Sequence, residues 1–353
     1  MSGRARDPLM PVIRLAPAKL NLTLAVLGAR PDGYHDLHSV MVLLGLADRL
    51  SFARAAGAED SLHVAGADGR SDGRSDGRSD GRTSGRAPLD PAEFGSVLAG
   101  IAEARRAVGR GAETFPLAVR LEKRIPVAAG LAGGSSDAAA AIDGALAAWG
   151  ADLDAESRGR AAIAVGSDVP FFLAGGPALV EGRGEQVTAL AGIDGEPPGL
   201  VLVTPAVESS TRAAFAAFDT DPAAAPANRG STRLTSEHLA AEMAPGHAPM
   251  RAAGLVSRAG VLAVANDLAG AADLLVPGLR TLRRRLMRLL GVPIGLSGSG
   301  PTLWALYPAR EGAEAAADVI RSELALGTLD APGTGTPFVV ATTIERPSAR
   351  RPE

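Results

Sequence analysis

The sequence predicts an α+β fold in two domains, and three observations carry that prediction. At about 150 residues per domain, a chain of 353 residues suits two cores better than one. Segments with period-two apolar alternation and segments with helical spacing both recur, in an order that does not alternate as successive βαβ units would. A 46% hydrophobic share beside 21% charged residues supplies the apolar side chains for a sizeable core.

The first element is a strand. Leu20, Leu22, Leu24 and Val26 alternate with Lys19, Asn21, Thr23 and Ala25, which predicts a half-buried strand with Lys19, Asn21 and Thr23 on one face. Arg30-Pro31-Asp32-Gly33 then reads as a turn. Next comes an insertion, placed at 66–88. It holds Ser71-Asp72-Gly73-Arg74, two further copies and a degenerate Ala67-Asp68-Gly69-Arg70, and from Gly69 to Arg86 it has no apolar side chain to bury. A flexible surface segment is expected there. Arg is cancelled by Asp unit by unit and no aromatic offers a stacking face, which argues against RNA contact.

Leu117, Val119 and Leu121 predict a second alternating strand, ending at Pro126. An Ala-rich helix follows from Ser136 to Trp149, stopped by Gly150. In the second half of the chain, Leu200–Val203 reads as a buried strand and Thr211–Phe218 as a helix. Leu279, Leu282, Leu286, Leu289 and Leu290 set a helix over Gly278–Leu290. The domain boundary is expected near residue 195, giving an N-terminal domain over 10–195 and a C-terminal domain over 196–346.

Composition excludes several functions. Thirty-six basic residues stand against 39 acidic ones, a net charge of −3, which excludes a nucleic-acid coat or a membrane-surface binder held by bulk charge. Without Cys there are no disulfides, thiolate nucleophiles or Cys-held metals. No apolar run approaches the ~18 residues of a membrane span, and Met1–Leu15 has no apolar signal core, so a cytoplasmic protein is expected. Only two of the basic residues are lysine, Lys19 and Lys123.

Three segments carry chemistry. Pro126-Val127-Ala128-Ala129-Gly130-Leu131-Ala132-Gly133-Gly134-Ser135-Ser136-Asp137 lies between the second strand and the Ala-rich helix. A Gly-rich turn feeding a helix N-terminus offers converging N–H donors and a favourable dipole to a phosphate. Ser135 and Ser136 can cap the helix or reach phosphate oxygens or a Mg²⁺ shell. The spacing is neither a Walker A loop nor G-x-G-x-x-G.

The second segment is Gly166-Ser167-Asp168-Val169-Pro170-Phe171-Phe172, expected at a helix-to-strand junction with an extended step into Pro170. Asp168 suits a general base for a hydroxyl attacking a γ-phosphate, and suits an Asx turn before Pro equally well. The third, Leu296-Ser297-Gly298-Ser299-Gly300-Pro301-Thr302, offers hydroxyls and bare backbone to a ligand, or is a plain turn. His35 and His38 form an H-x-x-H with nothing to complete a zinc set, so no metal site is assigned. His35 is better placed to hydrogen-bond or stack, while His63, His238 and His247 are expected at the surface.

In their order, these segments resemble the GHMP small-molecule kinases. The resemblance rests on Ala16-Pro17-Ala18-Lys19-Leu20-Asn21-Leu22, Arg30-Pro31-Asp32-Gly33-Tyr34-His35-Asp36-Leu37, Gly130–Asp137 and Gly166–Phe172. Gly182-Arg183-Gly184-Glu185, Asn266-Asp267-Leu268 and Ser297–Pro301 complete it. It implies a two-domain GHMP kinase fold, ribosomal-protein-S5-like at the N-terminus and ferredoxin-like at the C-terminus. It also implies the reaction, transfer of the ATP γ-phosphate to the 2-hydroxyl of a cytidine-diphosphate-linked methylerythritol, with ATP and Mg²⁺ as cofactors.

By family role, Asp168 is the base and Lys19 its cationic partner. Asn21 would contact the substrate, and Tyr34, His35 and Phe215 would hold the cytosine with Thr211 nearby. Gly298 and Ser299 would complete the substrate side. Pro126 to Ser136 would wrap the ATP phosphates, with Lys123 lining the nucleotide pocket.

Two departures stand out. Ala128, Ala129 and Ala132 occupy positions where relatives often have Gly, so a positive φ there would add strain. Asp90-Pro91-Ala92-Glu93-Phe94 replaces the family's Asn-Leu helix start, on the side that often borders adenine. The expected partner is a small molecule, not nucleic acid or membrane, and a homodimer is compatible with the sequence. The alternatives are a homoserine- or mevalonate-type kinase, against which the Pro31–His35 segment argues, and a catalytically silent nucleotide-binding protein, against which Lys19 and Asp168 argue.

Overall fold

The computed structural model describes residues 11–65, 94–109, 114–224 and 229–345. The insertion at 66–88 lies outside the described residues. From the N-terminus come β1 (Val12–Asn21), β2 (Ala25–Ala29), the long strand β3 (His35–Arg54) and β4 (Ser61–Ala65). Then follow α1 (Gly95–Val108), β5 (Leu117–Glu122), α2 (Gly133–Trp149), α3 (Ala155–Val165) and α4 (Val169–Ala174). β6 (Ala178–Gly182), β7 (Gln186–Ala189), β8 (Ile193–Asp194) and β9 (Gly199–Thr204) precede α5 (Thr211–Thr220) and α6 (Arg229–Glu242). Next are β10 (Met250–Arg251), α7 (Ala252–Ser257), α8 (Ala259–Leu262), α9 (Ala269–Leu275) and α10 (Leu279–Leu290). β11 (Gly295–Leu296), β12 (Leu303–Tyr307), α11 (Arg310–Ala325) and β13 (Phe338–Thr343) end the series. The content is α+β, as expected.

Two compact units interleave along the chain: one within Met1–Ala16, Ala47–Ile125 and Gly134–Val165, the other within Pro17–Leu46, Pro126–Gly133 and Gly166–Glu353. In the first, Arg49–Arg54 of β3 pairs antiparallel with β5, and β4 adds to β5 in parallel. Strand β5 ends at Glu122, short of Pro126, because the Asp48 carboxylate takes the N–H groups of Arg124 and Ile125 and draws that segment out of the ladder.

Helix α2 begins at Gly133, three residues before the expected Ser136, and Gly150 ends it at φ +66°. Its small side chains permit close packing. A Cβ on Gly100 of α1 would lie 2.7 Å from the Ala138 carbonyl, and a Cβ on Gly144 would lie 2.2 Å from the Phe52 ring. In an open helix, Gly→Ala is favourable by about 1 kcal/mol. Here Gly144→Ala is expected to destabilise by about 1–3 kcal/mol, because the ring must be displaced. Thermal unfolding measures this, and an unchanged or raised Tm would contradict the packing.

In the second unit, β2 pairs with β3 across a bulge between Val26 and Gly28, and Leu37–Met41 of β3 pairs antiparallel with β6, which carries β7. A separate antiparallel sheet runs β11-β12-β9-β13. Every residue of its central strand β9 is buried. Leu279, Leu282 and Leu286 of α10 join Val201, Val203 and Leu303 in the core of this sheet.

The single alternating strand expected through Val26 is broken. β1 stops at Asn21 and β2 starts at Ala25, since Leu22 N–H turns to the Val40 carbonyl and Leu24 N–H to that of Ala265. Nor is its polar face exposed: Lys19, Asn21 and Thr23 are all buried. Among the described residues, no helix is long and apolar enough to cross a membrane.

Candidate active site

The face shared by Lys19 and Asn21 is real, and it points inward. Lys19 Nζ donates to Asn21 Oδ1 at 2.6 Å and to the Gly130 carbonyl at 2.8 Å. Burial pulls the Lys19 pKa down from 10.5 to about 8, and the charge of Asp168 opposes that fall. The ammonium is therefore mostly retained at neutral pH.

The Gly-rich loop is oriented by its carbonyls. The Ala129 carbonyl accepts from Thr302 N–H, and Gly130 O accepts from Lys19 Nζ and from Ser297 Oγ at 2.9 Å. Leu131 O accepts from Lys19 N–H at 3.1 Å. In a trans peptide, N–H points opposite to the C=O of the same unit. The N–H groups of Gly130, Leu131 and Ala132 are thus turned away from Lys19, and they donate to no partner among the described residues.

Val127 and Ala128 are exposed on this loop, Pro126 and Ser135 are partly so, and Gly133 and Gly134 open the first turn of α2. Ser136 is buried, and its Oγ has no hydrogen-bond partner among the described residues. Ala128 and Ala132 hold φ of +52° and +53°, whereas Ala129 is not among the positive-φ residues. The strain expected of Ala in this loop is therefore present at two of the three positions, at a cost of about 1–2 kcal/mol each.

Asp168 sits between two helices, not at a helix-to-strand junction. It is the N-cap of α4 with φ −84° and ψ −10°, and its side chain makes no capping bond. Pro170 falls in the first helical turn, where a missing N–H costs nothing, so the step is helical instead of extended. The carboxylate is half-buried and free for other work.

The Ser297–Thr302 segment packs on this centre. Gly298 adopts φ +56°, and a Cβ there would come 3.0 Å from Lys19 Nζ, so glycine satisfies both conformation and space. Asn266 Nδ2 donates to the carbonyls of Leu296 and Gly298 at 3.0 and 2.9 Å, which pins the segment. Thr302 Oγ1 bonds Thr204 Oγ1 at 2.8 Å, and Ser299 Oγ bonds Thr211 Oγ1 at 3.0 Å.

The residues expected around the cytosine divide in two. The rings of His35 and Phe215 stack on each other at 4.6 Å and 19°, and His35 Nε2 meets Asp219 Oδ1 at 2.8 Å. Tyr34 stands apart, exposed, under the Arg183 guanidinium at 5.1 Å. His38 is buried, while His63, His238 and His247 are exposed as expected.

Lys123, expected on the nucleotide pocket, is turned inward. Its Nζ bonds Asp48 and, at 2.9 Å, Asp137, with all three side chains buried and the Phe94 ring 5.7 Å away. Burial lowers its pKa, but the charges of Asp137 and Asp48 outweigh burial and leave it raised. Burial pushes the Asp137 carboxyl up to about 7, against the pull of Lys123.

The structure thus gathers Lys19, Asn21, Gly130, Ser297 and Gly298, with Asp168 in electrostatic reach. Sequence reasoning missed Asp48, Asp219, Ser39 and the pinning role of Asn266. Only Asn266 had a signal, as part of an Asn-Asp-Leu motif without an assigned task.

Residues 97–176 match the family described as the GHMP kinases N terminal domain. A 4-diphosphocytidyl-2-C-methyl-D-erythritol kinase from Pelotomaculum thermopropionicum is 36% identical over 308 residues, covering 86% of this chain and 92% of that one. The crystal structure of a 4-(cytidine 5'-diphospho)-2C-methyl-D-erythritol kinase aligns with a TM-score of 0.61 at 29% identity, over 94% of this chain and 99% of its own. A homoserine kinase structure from Cytophaga hutchinsonii aligns with a TM-score of 0.64 over 98% of each chain, at 16% identity, and shares the fold alone.

Proposed function

Because the chain belongs to the 4-diphosphocytidyl-2-C-methyl-D-erythritol kinase family of GHMP kinases, we propose that it transfers the ATP γ-phosphate to the 2-hydroxyl of 4-diphosphocytidyl-2-C-methyl-D-erythritol, in non-mevalonate isoprenoid synthesis. The observation that carries this reading is the buried ammonium of Lys19, bonded to Asn21 and the Gly130 carbonyl, with the half-buried carboxylate of Asp168 in electrostatic reach.

Asp168 accepts the proton of the substrate hydroxyl as its oxygen bonds to phosphorus. Lys19, in electrostatic reach of that carboxylate, offsets charge on the attacking oxygen as a compact point charge. The outward N–H groups of the loop receive the phosphates. Mg²⁺ bound with the phosphates would neutralise further charge there. His35 and Phe215 would part to admit the cytosine, with Tyr34 at its rim. The reading carries the family's division into domains at 10–195 and 196–346, and a cytoplasmic setting.

An ammonium that titrates near 8 gives this reading a pH signature. Lys19 is charged below about 8 and neutral above it. kcat/KM is therefore expected to fall as pH rises through about 8, and a profile flat to pH 10 would remove Lys19 from the mechanism. The reaction itself is tested with Mg-ATP and three acceptors, the cytidyl alcohol, homoserine and mevalonate. ADP release confined to the cytidyl alcohol supports the proposal. Release with another acceptor alone would reassign it, and no release with any would make the chain a silent binder.

A further inference from the structure

The hydrogen bonding that holds Lys19 does not end at Asn21. Asn21 Nδ2 donates to Ser39 Oγ at 2.8 Å, and Ser39 donates its hydroxyl hydrogen to the Thr23 carbonyl at 2.6 Å. Ser39 lies on β3, fully buried, and no step of the reaction above uses it.

A hydroxyl has one hydrogen. With that hydrogen committed to Thr23, Ser39 can only accept from Asn21. The amide must then show nitrogen to Ser39 and oxygen to Lys19. The reversed amide would set an NH₂ against the ammonium and face its oxygen to a hydroxyl already spent. Asn21 alone has no such preference, so Ser39 decides it.

The far end is anchored as firmly. Thr23 Oγ1 accepts from Val40 N–H at 3.0 Å and bonds Ser236 Oγ of α6 at 2.7 Å, and Ser236 Oγ lies 2.8 Å from His38 Nδ1. Among the described residues, the titratable groups facing this network are Asp168 beside Lys19 and His38 beyond Ser236, with Glu237 in electrostatic reach of His38.

We propose that Ser39 is a positioning residue for phosphoryl transfer: its hydroxyl fixes Asn21 so that an acceptor oxygen always faces Lys19, keeping the ammonium charged and aimed. The inference rests on Lys19 acting as proposed above. An oxygen 2.6 Å away favours the charged form of a buried amine. Ser39→Ala frees the Asn21 amide to turn and weakens the hold on that proton. Asn21→Asp puts a carboxylate in the same place and strengthens it.

With two lysines in the chain, ¹³Cε-lysine labelling gives two side-chain resonances, and Lys19→Met assigns them. From a wild-type midpoint of about 8, Ser39→Ala is expected to lower the Lys19 titration by about one pH unit. The alkaline limb of kcat should move with it. At pH 7.5 the charged fraction of Lys19 drops from about three quarters to about one quarter, so kcat should fall about threefold with KM values nearly unchanged, the mark of an interaction expressed in the transition state.

Asn21→Asp should raise the midpoint, and Ser39→Thr, which keeps the hydroxyl, should restore it. An unmoved midpoint in Ser39→Ala, or a midpoint that falls in Asn21→Asp, would overturn the proposal whatever happens to Tm. If Ser39→Ala does not fold, Asn21→Asp and Ser39→Thr decide alone. A wild type that makes no ADP would sink the kinase reading, and the midpoints would still tell whether Ser39 controls Lys19.

Discussion

Asp168→Asn is expected to lower kcat by about 10²–10⁴-fold, the range a positioned general base contributes. The amide copies the shape of the carboxylate but cannot take the acceptor's proton. It also removes the charge that opposes the burial of Lys19, so the Lys19 ammonium should be lost at lower pH than in the wild type. Two effects on one step then compound.

The fold should not share the loss. Asp168 caps α4 without a side-chain bond and is only half-buried, so thermal stability should stay close to wild type. ADP formation in a single turnover, measured beside Tm, separates the two. Activity within about threefold of wild type would exclude Asp168 as the base.

Lys123→Met is expected to damage the fold itself, by about 3–5 kcal/mol, the usual result of stripping one partner from a buried ion pair. Lys123 is the cation that both Asp48 and Asp137 touch, and both carboxylates are fully buried. Asp48 also holds Arg124 and Ile125 by their N–H groups, so the segment leading into the Gly-rich loop would lose its support.

The sign of the pH effect follows from Asp137. Its carboxyl is raised from 3.8 to about 7, so between those values the folded state binds the proton more tightly than the unfolded chain does. Stability from this group falls as pH rises through that window. Removing Lys123 takes away a charge that lowers this carboxyl, so the fall should extend to higher pH. Urea unfolding across that window measures it, and adding Asp137→Asn to Lys123→Met should recover part of the loss. A loss below about 1 kcal/mol would mean that water replaces the ammonium.

What the sequence made legible was local. Helix α10 is set by leucines three and four residues apart, and β9 by four consecutive apolar residues, patterns complete within a dozen positions. The loop and the Ser297–Pro301 turn declared themselves by glycine and serine density. Where local pattern and global packing disagreed, the reading failed.

Lys19, Asn21 and Thr23 were legible as one face of a strand, but their burial was not, because their partners are distant in the chain. Thr23 meets Ser236 across 213 positions, and Lys19 meets Gly130 across 111. Lys123 looked like a ligand for the nucleotide because Asp48 lies 75 positions upstream. A polar stripe buried by remote partners is indistinguishable, residue by residue, from one facing water. The strand expected after Asp168 failed for another reason. X-Pro favours extended backbone on average, but at a helix start Pro is welcome, and only the capping geometry distinguishes the two.

Both lysines are buried, and the chain has no third. The folded surface therefore carries its permanent side-chain cations as guanidinium groups. Acetyl transfer to a side chain and conjugation through an isopeptide bond require a lysine amine, and the folded molecule offers none while both lysines stay buried. Each lysine becomes available only when its own surroundings open, Lys19 with the Gly130 contact and Lys123 with the Asp48–Asp137 pair. Amine reactivity in this protein is therefore a record of two particular breathing motions, one at the proposed catalytic centre and one at the buried Asp48–Asp137 pair.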